Sequence, residues 1–392
     1  MVKLRGMTWD HIRGYAPLLA ATEKFRESHS GFEIAWDRRS LKDFGDYPID
    51  RLAREYDILL IDHPHVGISS SQNVLVPLDD SIPASYLRDQ EENSVGPSHI
   101  SYRWGDRQWA LAVDAAAQVA AYRPDLMNEQ DLPRTWQQVL VLAKRMAGAT
   151  GSRVGWPLGP TDAMCSFLSL CAGIDGPTFF DEGVGIENSV GEAAIDLLFE
   201  ILPHLHPTSL DSNPIQMYDR MASSEEIHYI PCAFGYTNYA RQGFAAKLLR
   251  FADIPAISRE PRGSLLGGVG IAVSAFSSHV PLAVEFAMFA ASENVQRTLY
   301  VESGGQPGHA DAWWDAKANE MCGGFFQGTL RTMELSYMRP RNKYFPEFQE
   351  KAGILLHKAL KRRSTGNFDS SAGTVEAMNS LYLQCLSAEK TH

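Results

Sequence analysis

Apolar residues recur along this chain in two rhythms that alternate from one segment to the next. Val2 to Met7 is a short apolar run compatible with a strand, and YAPLLAATEKFRES behind it sets Leu18, Ala21, Thr22 and Phe25 on one helical face. FEIAWD then alternates Phe32, Ile34 and Trp36 with Glu33, Ala35 and Asp37, and IDRLAREY returns to helical spacing. DILLID follows as a continuous apolar run, the pattern of a parallel strand buried on both faces. The spacing predicts βαβαβ within about 60 residues.

A second α/β pattern begins after Asp114. AAAQVAAYRPDL reads as a small-residue helix or a strand-to-helix passage that ends at Arg123-Pro124. RTWQQVLVLAKRM is an amphipathic helix capped by Thr135, with Trp136 in its core face, and VGEAAIDLLFEIL is another. IHYIPCAFGY predicts a strand entering a loop, LLGGVGIAVS a glycine-rich strand, and PLAVEFAMFAAS and GILLHKALKRR further helices. There is no repeat period and no Gly/Ser-rich linker. A chain of 392 residues exceeds the roughly 250–300 at which one core stops growing, so two lobes are expected. Without a linker, the chain must cross between them more than once.

Composition narrows the function. The chain is 44% hydrophobic and 21% charged, as in a folded globular protein. Its net charge of −11 repels a phosphate backbone, which argues against nucleic acid as a partner. The one basic cluster, Lys358, Lys361, Arg362 and Arg363, reads as a solvated helix end. Five cysteines without a C-x-x-C pair read as reduced, mostly buried thiols. The N-terminus has no signal-peptide pattern and no stretch is long enough for a membrane span, so as written the protein is expected in the cytoplasm, without insertion into the membrane.

Ligands on open parallel sheets collect outside the carboxyl ends of the strands. Trp9, Asp10 and His11 follow the first predicted strand, and Asp62, His63, Pro64 and His65 follow the third, so both polar clusters leave one sheet edge. The DHPH spacing is poor for a metal, because Pro64 restrains His63 and His65 and His11 or Asp10 would have to join them. The glycines of LLGGVGIAVS lack the rest of a dinucleotide fingerprint, and phosphate-loop, nucleophile-elbow and zincin motifs are missing. No cofactor and no metal is expected. Trp9 and Trp156, each in a predicted loop, offer aromatic faces that can cover a sugar ring or a flat apolar ligand. In FGYTNYAR, Phe234, Tyr236, Asn238, Tyr239 and Arg241 combine aromatic faces with polar groups suited to orienting a small molecule.

Taken in order, DILLIDHP, LAVDAAAQVAAYRPDL, RTWQQVLVLAKRM, IPCAFGYTNYAR, GSLLGGVGIAVS and SGGQPGH resemble the extracellular solute-binding proteins of ABC importers, specifically the sugar-binding group similar to maltose-binding protein. The resemblance implies an α/β, two-lobed periplasmic-binding-protein-like fold with a multi-strand hinge and an interlobe ligand cleft. It implies a first lobe of residues 1–113 plus 259–311 and a second of 114–258 plus 312–392. Cleft positions carried over by motif are Trp9, Asp10, His11, Asp62, His63, Asp114, Trp156, Tyr236, Gly267, Gly268 and Gln306. A small-molecule ligand and the transmembrane subunits of an ABC permease are the implied partners, and the implied location is periplasmic or extracellular.

The sequence therefore reads as a receptor that closes over a small polar solute without covalent chemistry. His11, His63 or Arg241 could meet an anion, which leaves a carboxylated or aromatic ligand open beside a sugar. Two rivals share the architecture: an enzyme using His11, Asp62 and His63 as acid/base groups or metal ligands, and a cytoplasmic sensor that docks a regulatory partner.

Overall fold

The structure, a computed structural model, describes residues 2–40, 48–149, 154–367 and 369–387. The chain divides into two compact units. The first comprises Met1–Ala116, Gly267–Cys322 and Arg341–Lys343, and the second Ala117–Leu266, Gly323–Pro340 and Tyr344–His392. Beyond two passages after 340 and 343 that the sequence does not anticipate, the three others fall after 116, 266 and 322, where the sequence puts them after 113, 258 and 311. Main-chain pairing explains the first shift, since Ala115 N–H still donates to Gln306 O at 2.8 Å inside the first unit. The last moves because Trp313 Nε1 donates to Pro307 O and Asn319 Nδ2 to Trp313 O, which keeps this stretch in the first unit.

Seven strands carry the sheet: β1 (Val2–Trp9), β2 (Phe32–Arg39), β3 (Ile58–Ile61), β4 (Leu111–Tyr122), β5 (Tyr229–Phe234), β6 (Arg250–Ala252) and β7 (Leu266–Val273). In the first unit the order is β4-β7-β3-β1-β2. β1 runs parallel to both β2 and β3, and β7 runs antiparallel to β3. All four residues of β3 are buried, as its unbroken apolar run requires. The helix Ile12–Arg26 buries Leu18, Ala21, Thr22 and Phe25 on the face its spacing predicts.

In the second unit β4 stands between β5 and β6, antiparallel to each. The core gathers around the helix Pro160–Asp175, buried continuously from Ala163 to Gly173, with Phe345–Ser364 packed close against it. That approach depends on Gly353, where an added Cβ would meet Pro160 O at 2.6 Å.

AAAQVAAYRPDL corrects the helix alternative of the sequence reading: its residues up to Tyr122 belong to a strand of 12 residues, all buried, and the chain turns only after it, where the Leu126 and Met127 N–H groups donate to Arg123 O. Alanine favours a helix in isolation, but tertiary packing overrides propensity. The small side chains here suit a close neighbour: a Cβ on Gly268 of β7 would lie 2.2 Å from Asp114 O, and one on Gly270 would lie 2.7 Å from the Ala110 Cβ.

Candidate functional site

The register of β1 and β3 builds the site. Gly6 pairs with Ile58 and Met7 with Leu59, so the same offset carried onward sets Asp10 beside Asp62, each just past its strand. β7 meets β3 at Gly270 and Ile61 in the opposite direction, which brings Gly267 and Gly268 to this edge as well. Gly268 also lies against the main chain of Asp114, and Gln306 against Ala115. The carboxyl edge of the first unit's sheet thus assembles Trp9, Asp10, His11, Asp62, His63, Asp114, Gly267, Gly268 and Gln306.

Their side chains differ in what they can do. Asp10 is exposed, with Arg38 at 3.6 Å, and its own N–H extends the ladder to Arg39 O. His11 caps the helix Ile12–Arg26: its Nδ1 accepts from the Arg13 N–H at 3.1 Å, which leaves the ring proton on Nε2. Burial, and after it the Arg13 charge, lowers the His11 pKa to about 4. His11 is therefore a neutral hydrogen-bonding group at ordinary pH and brings no positive charge to the edge. Asp62 caps the turn His63–His65, with Oδ1 accepting from the His63 N–H at 2.9 Å, and remains 27% exposed.

Four other positions turn inward. Trp9 packs over Gly14, where a Cβ would come within 2.5 Å of the indole. His63 is 0% exposed, edge-on to Tyr102, with Nδ1 at 3.3 Å from Asp62 Oδ1. The Asp114 carboxylate is held by Arg13 through both oxygens, Nε to Oδ2 at 2.9 Å and Nη2 to Oδ1 at 2.5 Å. Burial raises the Asp114 pKa and the guanidinium opposes that rise. Gln306 Nε2 donates to Ala115 O at 2.8 Å. These groups stand behind the edge and fix its backbone.

The other two motif positions belong to the second unit. Tyr236 follows β5, whose last residue Phe234 pairs with Gln118, and Gly235 N–H donates to Ala117 O at 3.2 Å. This loop thus lies at the end of the sheet where β4 enters the unit. Tyr236 is mostly buried against Tyr218, and Tyr239 donates to Asp219 Oδ1 at 2.6 Å. Trp156 is 0% exposed, stacked on Trp136, and its Nε1 donates to Ser166 Oγ at 2.9 Å.

Sequence reasoning missed Arg13 at the edge and, in the second unit, the shifted carboxyl of Asp162. Arg13 reads as a surface residue in a helix, and nothing local reveals a partner 101 positions away. Asp162 lies in the first turn of Pro160–Asp175, half-buried, and burial lifts its carboxyl to about 8. The Gly-Pro start before it signals a helix N-terminus, but its burial has no sequence signal. Among the described residues no group of three or more His, Cys, Asp or Glu could hold a metal ion, and no helix is long and apolar enough to cross a membrane. All five cysteines are buried thiols.

Residues 9–216 match the family model described as bacterial extracellular solute-binding protein. Among solved structures, the chain is similar to maltose-bound MalE3 of T. maritima, with 17% identity, 98% of this chain and 99% of that one covered, and a TM-score of 0.80. A ribitol-bound ABC transporter solute-binding protein of Agrobacterium radiobacter K84 matches with 15% identity over 100% and 99% of the two chains, also at 0.80. A tagatose-bound one of Thermotoga lettingae TMO matches with 15% identity over 97% and 100%, at 0.79. The fold is thus the two-lobed one of periplasmic binding proteins.

Proposed function

Because this chain belongs to the family of bacterial extracellular solute-binding proteins, we propose that it captures a small polyhydroxylated molecule outside the cytoplasm and delivers it, chemically unchanged, to the transmembrane subunits of an ABC importer. The observation that carries this reading is the meeting of Asp10, His11 and Asp62 at one carboxyl edge, where open α/β sheets collect ligands. Carboxylates accept hydrogen bonds from hydroxyl groups, and a neutral imidazole can donate one. Two carboxylates at one edge repel an anion. An uncharged sugar or polyol is therefore favoured over a sugar acid.

Direct contacts come from Asp10, His11 and Asp62. Trp9, His63, Asp114, Gly267, Gly268 and Gln306 shape the edge behind them. The ligands bound in the similar structures, maltose, ribitol and tagatose, agree with this chemistry. Binding shifts the population toward whichever form holds the ligand more tightly, so selectivity rests on differential affinity alone.

Mass spectrometry of small molecules released on denaturation, followed by thermal shifts with maltose, ribitol, tagatose and matching sugar acids, tests the reading. A ligand at a hundredfold excess over Kd stabilises by about 2.7 kcal/mol, a readily measured shift. Release of a neutral sugar or polyol, with stabilisation by the same compound, is the expected result. Stabilisation by sugar acids alone overturns the ligand class, and turnover of the bound compound overturns the receptor role.

A further inference from the structure

Arg13 holds two groups at once. Its main-chain N–H donates to His11 Nδ1, and its guanidinium grips the Asp114 carboxylate through two parallel bonds. Both members of the ion pair are nearly fully buried, at 4% and 0% side-chain exposure. Asp114 is itself immobilised: Ala115 exchanges hydrogen bonds with Gln306 on one side, and Gly268 packs against the Asp114 carbonyl on another. The first turn of the helix Ile12–Arg26 is therefore bolted to β4 at a point where neither partner can shift.

Stability alone is a poor account of this pair. Desolvating two charges costs about as much as their attraction returns, and apolar side chains of similar volume often serve as well or better. Apolar packing cannot reproduce the direction of a guanidinium fork, which fixes the angle of the residue carrying it. Arg13 lies two residues from His11, so that angle reaches the imidazole directly.

We propose that the Arg13–Asp114 pair is a positioning device for the His11 imidazole, locking the first helical turn so that Nδ1 keeps accepting from the Arg13 N–H and the ring proton stays on Nε2. This rests on reading that edge as the ligand-contacting one. Arg13 and Asp114 are positioning residues, while His11 makes the contact. Asp10 stands beside His11 in the chain, with the Arg38 guanidinium 3.6 Å from its carboxylate.

The test uses the unliganded full chain labelled with 15N in its histidines, with the His11 signals assigned by His11→Gln. Wild type should show one tautomer at neutral pH, with a bare Nδ1 and a protonated Nε2. The double variant Arg13→Met/Asp114→Leu should melt within a few degrees of wild type, yet its two His11 nitrogen shifts should move toward each other as the ring exchanges tautomers. A double variant that keeps the wild-type pattern overturns the proposal and leaves the pair a structural one. If the double variant does not fold, Asp114→Asn gives the decision: it keeps the shape and loses the charge, and averaging of the His11 shifts is expected. An unaltered single tautomer there likewise overturns the proposal. No ligand enters the measurement, so a binding screen that fails bears on the proposed function separately.

Discussion

Trp156 lies against Trp136 with ring centroids 4.7 Å apart and planes inclined by 30°. The indole Nε1 of Trp156 is committed to Ser166, whose hydroxyl also accepts a longer contact from Gln118. This tryptophan is part of the second unit's core, and its removal has a structural signature. Trp156→Ala opens a large apolar cavity and should cost about 3–5 kcal/mol in urea unfolding of the unliganded protein. Trp156→Phe, which removes the indole N–H from Ser166 and leaves a smaller cavity, should fall between that variant and wild type. Unliganded stability equal to wild type in both variants would place the indole outside the core.

The order of early elements was legible because one-sided and two-sided burial impose different spacings. The helical face of Leu18, Ala21, Thr22 and Phe25 and the apolar run of β3 both stand where their patterns put them. The common edge of Asp10 and Asp62 was legible for the same reason, since parallel strands send their following loops the same way. Side-chain direction was not. Trp9 and His63 sit in polar loops by letter but turn inward, a choice made by Gly14 beneath the indole and Tyr102 beside the imidazole. The alanine-rich β4 was obscured because its reason is the proximity of Gly268, more than 140 positions later in the chain. Asp114 had the appearance of a ligand-facing acid until Arg13 was seen to hold it.

Acid should destabilise the first unit through two histidines. Burial lowers His11 and His99 to about 4; Arg13 reinforces the shift at His11, while at His99 Arg103 reinforces it and Asp79 opposes it. The unfolded chain takes up these protons near pH 6.5, whereas the folded one refuses them until about 4. The two histidines therefore cost no stability through protonation above 6.5, an increasing amount as pH drops toward 4, and no more below it. Each ring contributes at most about 3 kcal/mol over that window. Melting curves at stepped pH should fall less steeply between 6.5 and 4 in His99→Gln than in wild type. Equal slopes in the two proteins would remove His99 from the account.

Gly268 should tolerate no side chain. Its φ of +95° is one that L residues rarely adopt, and a Cβ would lie 2.2 Å from Asp114 O and 2.8 Å from the Ala115 Cα. The obstructing atoms are backbone in a fully buried strand, so they cannot swing aside. Gly268→Ala should lose about 2 kcal/mol or more of unfolding free energy. Gly105, also at positive φ but with nothing within 4 Å of an added Cβ, provides the control. Gly105→Ala should cost only about 1 kcal/mol. Similar losses in both would attribute the effect to φ alone and remove the close approach to β4 as its cause.

The carboxylates of the edge can be separated from its scaffold by their effects on affinity. Asp62 accepts the His63 N–H through Oδ1 and is partly exposed, and asparagine keeps an acceptor oxygen for that capping bond. Asp62→Asn should therefore leave unliganded melting within about 1 kcal/mol of wild type. A ligand hydroxyl that donated to the carboxylate would then meet a weaker, neutral acceptor. The loss of a charge-assisted hydrogen bond should weaken binding by about 1–3 kcal/mol, or roughly five- to a hundredfold in Kd. Asp10→Asn should act the same way, since its cation among the described residues, Arg38, lies at 3.6 Å on a well-exposed surface where an ion pair adds little stability. His11→Ala differs because His11 also caps its helix, so affinity should fall together with about 0.5–2 kcal/mol of stability. Calorimetric titration of the identified ligand, paired with unliganded melting of the three variants, reads both quantities. Unchanged affinity in Asp10→Asn and Asp62→Asn would move the ligand away from the carboxyl edge of β1 and β3.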